Sequence, residues 1–118
     1  MKILNFFIII YTFFTTFTSC HKSDSESDIP ECIEEQITLL KNKPTQNPAA
    51  EVWRWKTTNK TYYYITSDCC DQFNYLYDSD CTIVCAPDGG FTGAGNGKCS
   101  DLIEPIIKHL IWEDPRKE

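Results

Sequence analysis

The chain has 118 residues, with 11 Lys/Arg against 17 Asp/Glu and a formal net charge of −6 at pH 7. That length allows one domain, and the acidic balance argues against a nucleic-acid partner, because a phosphate backbone would be repelled. The imbalance belongs to the folded part: from residue 29 onward there are nine Lys/Arg against 14 Asp/Glu, and the basic residues are scattered.

The amino terminus reads as an export signal. Lys2 is a minimal positive start, and Ile3 to Phe17 is apolar or Thr/Tyr apart from Asn5. That is roughly the length of a signal-peptide core and short of the ~20 residues a membrane span needs. It ends in Phe17-Thr18-Ser19-Cys20, small residues directly before a cysteine. This resembles a bacterial lipobox, with Phe17 where Leu is usual, and implies cleavage before Cys20 and a lipid such as palmitate on Cys20. A plain signal peptide or a retained anchor with Cys20 incidental are the alternatives. The expected division is a signal peptide over 1–19, a flexible acidic tether over 20–28, and a cysteine-rich domain over 29–118. The tether, His21 to Asp28, lacks any large apolar side chain and cannot offset the entropy of ordering. Its acidic alternation resembles the export tag of surface-exposed lipoproteins of Bacteroidota.

Cysteine counting supports that division. Seven is odd, so one cysteine has another task; assigning Cys20 to lipid leaves Cys32, Cys69, Cys70, Cys81, Cys85 and Cys99 for three disulfides. A small exported domain needs such bonds because its core is modest. Six cysteines allow 15 pairings. Adjacent Cys69 and Cys70 are expected to bond elsewhere rather than to each other, since neighbours reach disulfide geometry poorly. One bond is expected across the second hairpin to Cys81 or Cys85, and one through Cys32. Zinc is the competing use of these thiols, but Cys69-Cys70 is a poor ligand pair. No metal and no cofactor are expected.

Pro30 to Lys43 reads as a helix. Ile33, Ile37 and Leu40 form one apolar stripe, Asp28 lies near the cap, and Pro44 stops it. Glu31, Glu34 and Glu35 open the helix and Lys41 and Lys43 close it, matching its dipole. Glu51 to Thr57 then alternates, with Val52, Arg54 and Lys56 on one side and Trp53 and Trp55 on the other. Thr58-Asn59-Lys60 turns into a second strand, Thr61 to Ser67, with Tyr62 and Tyr64 opposite in sense to Tyr63 and Ile65. Phe73 to Tyr77 and Thr82 to Ala86 form a second hairpin. Pro87 to Gly90 turns into a loop running to Cys99, which with that turn holds all five glycines. The tail reads as a helical turn over 101–105 and a short strand near Trp112, with His109 a packed side chain.

These elements predict a small disulfide-stapled α+β domain: an N-terminal helix packed on an antiparallel sheet of about four strands. The motifs Cys69-Cys70-Asp71-Gln72, Leu76-Tyr77-Asp78, Cys85-Ala86-Pro87-Asp88-Gly89-Gly90 and Gly95-Asn96-Gly97-Lys98-Cys99 resemble a group of small Bacteroidota lipoproteins with a domain of unknown function. That resemblance implies a cell-envelope location, outer-membrane, periplasmic or surface-facing, and carries no catalytic residues across. Enzyme patterns are sparse: His21 and His109 are the only histidines, and no Gly-rich nucleotide motif is present. The expected role is a non-enzymatic binding or structural module held to the membrane by its lipid. It would present Asp88, Gly89, Gly90, Phe91 and Asn96 to an envelope protein or glycan; a protease inhibitor using the Cys85–Cys99 loop is the alternative, and a small envelope enzyme combining His109 with carboxylates is the third reading.

Overall fold

The computed structural model describes residues 28–102 and 106–116. The expected signal peptide, Cys20 and nearly all of the expected tether lie outside the described residues, as do Ile103, Glu104 and Pro105 of the expected helical turn. Five strands follow one helix: α1 (Glu31–Asn42), β1 (Glu51–Lys56), β2 (Thr61–Ile65), β3 (Phe73–Tyr77), β4 (Ile83–Gly89) and β5 (Ile107–Glu113). They form one sheet in the order β4-β3-β2-β1-β5 with every pairing antiparallel. The expected four strands become five because the tail returns to the free side of β1 as a full strand.

Helix α1 begins without a side-chain cap, so Asp28 does not serve there. Pro30 itself is the N-cap, and its carbonyl accepts the Ile33 and Glu34 N–H groups at 2.8 and 3.1 Å. A proline suits this end because the missing N–H would have no partner in the helix. Ile33 and Ile37 are the buried pair of α1 and meet Val52, Tyr63 and Ile65 on the sheet. Full burial of such side chains stabilises by about 1.5–3 kcal/mol each.

The sheet has a second buried face, which the alternation of β1 and β2 requires. Trp55, Tyr64, Leu76 and Cys85 form its cluster, with Trp53, Tyr62, Cys99, Leu102 and Ile106 packed against it. The aromatic residues of β1 and β2 therefore pack on one face of the sheet or the other. Trp55 and Tyr64 stack at 5.1 Å between ring centroids, and Lys108 Nζ lies 4.0 Å from the Trp55 centroid.

Two disulfides tie these layers. Cys32–Cys81 joins α1 to the β3–β4 turn, and Cys85–Cys99 joins β4 to the end of the glycine-rich loop. The turn is built by Asp78, whose Oδ1 accepts the Asp80 and Thr82 N–H groups at 2.9 and 3.0 Å. This places Cys81 at φ 60°, facing the helix. At the chain's end Arg116 donates to the Asp114 carboxylate and to the carbonyls of Leu40 and Lys43, so the tail caps the C-terminus of α1.

The third disulfide corrects the sequence expectation: Cys69 and Cys70 bond to each other, across a cis peptide bond. The reason is distance. The pair sits at the corner before β3, whereas Cys81 lies past its far end; four Cα steps of ~3.3 Å each separate the ends of that strand by about 13 Å. A disulfide spans Cα atoms only about 4.4–6.8 Å apart. Cys85 is opposite Leu76, well along β3, and is already paired with Cys99. The corner is exposed, and the other four cysteines among the described residues are paired elsewhere.

Candidate functional site

The loop after β4 is the segment that the sequence marked for binding, and the structure explains its glycines. β4 runs through Pro87 and Asp88 to Gly89 rather than turning at Pro87. It is an edge strand, so the missing proline N–H costs no ladder bond, and the register shifts between Asn74 and Leu76 absorb the irregularity. The chain then doubles back along the outer side of β4. Gly89 pairs with Ala94 in a parallel bridge, Gly95 N–H donates to Gly89 O at 3.0 Å, and Asn96 N–H donates to Ala86 O at 3.0 Å.

Two glycines make this close return possible. Gly89 has φ +79°, and a Cβ there would stand 2.5 Å from Gln72 O and 2.9 Å from Asn74 N. Gly95 has φ +72°, and a Cβ there would be driven into Ala86 O. Left-handed backbone and backbone-to-backbone approach both exclude side chains at these points. The result covers the β4 edge, whose unpaired backbone groups would otherwise invite pairing with another chain.

Asn96 and Asp88, both candidate binding residues, are occupied in holding the loop and strand. Asn96 Oδ1 accepts the Ala86 and Lys98 N–H groups, each at 3.1 Å. The Asp88 carboxylate accepts from Tyr64 Oη at 2.9 Å to both oxygens and from Asn74 Nδ2 at 2.7 Å. Asn74 Oδ1 in turn accepts the Ser67 N–H at 2.7 Å. Burial, reinforced by the Asp88 carboxylate, holds the Tyr64 hydroxyl far above the ordinary tyrosine range, so it remains a donor. This network links β2, β3 and β4, and sequence reading missed it because Tyr64 and Asp88 are 24 residues apart.

Gly90 is buried against Phe73, leaving Phe91 as the one candidate residue free of internal duty. Phe91 is 91% exposed, at the tip of a turn that Gly93 N–H closes onto Gly90 O at 3.1 Å. The Cys85–Cys99 bond spans the base of this loop.

On the other face of the sheet, Arg54 and Lys56 lie beyond the N-terminus of α1. A cleft of about 340 Å³ is lined there by Asp28, Ile29, Pro30, Arg54, Lys56, Thr61, Tyr63 and Ser79. Burial raises the Tyr63 hydroxyl above its usual value, against the opposing pull of Arg54. The alternation of β1 had put both cations on the helix side. What sequence could not show is that a 12-residue helix, about 18 Å long at 1.5 Å per residue, would stop short of them. His109, expected to be packed, is exposed on β5, with Arg54 as its cross-strand neighbour. Among the described residues no group of three or more His, Cys, Asp or Glu is placed to hold a metal ion.

One helix on one face of a five-stranded antiparallel sheet, an edge-covering glycine loop on the other side, and disulfides between layers define a small disulfide-stapled α+β domain. Residues 38–114 match the family described as Domain of unknown function (DUF6970), and the chain belongs to that family. The match begins within α1 and takes in all five strands. No curated protein and no solved structure matches the chain.

Proposed function

We propose that this protein is a non-enzymatic binding module of the bacterial cell envelope, anchored by a lipid on Cys20 and presenting the Phe91 turn to a protein partner. The supporting observation is the contrast within the loop. Four of the five candidate residues are used to build it, while Phe91 is left almost wholly exposed on a backbone held by a disulfide and a ladder of hydrogen bonds. A large aromatic on a pre-ordered turn loses little conformational freedom on docking, which favours affinity. Aromatic anchors of this kind commonly carry much of an interface's energy. The lipobox-like Phe17-Thr18-Ser19-Cys20, the acidic tether and the resemblance to Bacteroidota lipoproteins support the envelope location.

The inhibitor alternative fits the loop less well. A substrate-like inhibitory segment is extended, whereas Phe91 and Thr92 occupy the centre of a closed turn. An enzymatic use of His109 also lacks support, since its register neighbour is a cation rather than a carboxylate.

The test is a photo-crosslinking residue at position 91 in intact cells, with position 39 on exposed helix surface as control. One discrete adduct from 91, absent from 39 and reduced in the Cys85→Ser/Cys99→Ser variant, is expected. No adduct from 91 would refute the binding reading. Mass spectrometry of the purified protein independently checks the anchor, since an unmodified leader still attached would refute lipidation.

A further inference from the structure

We infer that the cleft at the N-terminal end of α1 is a binding site for an oxyanion group, carboxylate or phosphate, held by Arg54 and Lys56. It is separate from the Phe91 turn and does not depend on the reading of that turn.

Three observations carry it. First, Arg54 Nε is buried and has no hydrogen-bond partner among the described residues. Buried polar atoms are nearly always partnered, and an unpaired guanidinium N–H calls for a specific explanation. Second, among the described residues the cations stand together without an acid bonded to them. Arg54 and Lys56 share the face and the cleft, His109 is directly across from Arg54, and the ion pair shown among the described residues is Arg116–Asp114. In a domain with a five-charge acidic excess, such a cluster is a local reversal of sign that concentrates anions. Third, the neighbours suit an oxyanion. Thr61 and Tyr63, cross-strand from Lys56 and Arg54, bring hydroxyl-bearing side chains to the cleft wall, and Ser79 adds a third from the β3–β4 turn. A cleft of about 340 Å³ is at the small end of the range for small-molecule sites. Guanidinium suits the role because its planar donors match two oxygens of one anion. Asp28 lines the same cleft and is the competing internal partner, although its carboxylate forms no ion pair within 4.0 Å with either cation.

The chain has only two arginines, Arg54 and Arg116, which makes a direct test possible. The full chain, labelled with ¹⁵N-arginine and held in zwitterionic detergent, has two Nε–H signals; Arg54→Lys assigns them. Arg116, already bonded to Asp114 at 2.9 Å through Nε, is the internal control. Inorganic phosphate is expected to move the Arg54 signal along a saturable curve while chloride at equal ionic strength does not. Lys56→Gln should weaken the apparent affinity by roughly 1.5- to fivefold, the usual worth of one exposed charge contact. Acetate in place of phosphate, and vesicles with or without phosphatidylglycerol, distinguish a soluble anion from a lipid headgroup: saturation by either supports the site and assigns its source. If both arginine signals drift together in proportion to salt, or if the Arg54 signal responds to Asp28→Asn and not to any anion, the inference is overturned.

Discussion

Replacing both Cys32 and Cys81 by alanine removes the covalent tie between α1 and the β3–β4 turn. The bond closes a loop with a sequence separation of 49. By the chain-entropy account, a loop of ~50 residues is worth about 4 kcal/mol against the unfolded chain, and one of ~15 residues, like that closed by Cys85–Cys99, about 3 kcal/mol. A typical domain has ~5–15 kcal/mol in total, so the first bond alone accounts for a large share. Little else holds the helix: Ile33 and Ile37 are its buried side chains, and Arg116 bonds its last carbonyls. The expected result under non-reducing denaturant is a loss of about 3–4 kcal/mol, or a fall in Tm of roughly 15–30 °C for a domain of this size. Trp112 reports on the same event, because Lys41 of α1 lies over its ring at 5.9 Å and the helix packs beside it. A change no larger than the ±0.5 kcal/mol or so of an ordinary surface substitution would refute the claim that this bond secures the helix.

Four further outcomes are expected. Cys69→Ser/Cys70→Ser should leave denaturant stability within about 1 kcal/mol of the parent, because a bond between neighbours closes no loop; a mild thiol should also reduce this exposed pair before Cys85–Cys99, whose Cys85 is buried and Cys99 half-buried, as alkylation mapping would show. Gly95→Ala should open the loop along β4 and raise hydrogen exchange at Asn96 and Ala86, with a loss beyond the ~0.5–1 kcal/mol set by backbone entropy alone, since Ala86 O blocks the new Cβ. Tyr64→Phe should lose about 1.5–3 kcal/mol in equilibrium unfolding, the value of a hydrogen bond to a charged acceptor; an unchanged midpoint would show that Asp88 is satisfied elsewhere. Arg116 holds the Asp114 carboxyl below its ordinary value, so the pair's contribution is complete above about pH 4 and fades as pH falls through the lowered folded pKa. Arg116→Ala should therefore be less stable than the parent at pH 7, with the difference shrinking as pH falls below the ordinary carboxylate range in thermal melts.

The sheet and helix were legible in sequence where periodicity was strong. The stripe Ile33, Ile37, Leu40 located α1 to within about a residue of each observed end, and the alternation through Val52–Lys56 and Tyr62–Ile65 assigned the two faces of the first hairpin. The tail was harder. Residues 106–112 are apolar enough for either period, and only pairing with β1 makes them a strand. For the candidate site, composition pointed to the glycine loop, but side-chain duties within it were invisible: Asp88 and Asn96 look like ligand groups until their partners Tyr64 and Ala86 are placed.

Sequence by itself determined the helix and the first hairpin, and the need for disulfides in so short a domain, since these follow from composition and neighbours along the chain. Tertiary structure alone decided which cysteines meet, because pairing depends on strand length and order rather than on spacing: β3 carries Cys81 out of reach of Cys69 and Cys70 and under α1. It also decided that Arg54 and Lys56 open onto a cleft, because whether a core-side cation is covered depends on where a helix from elsewhere in the chain comes to an end.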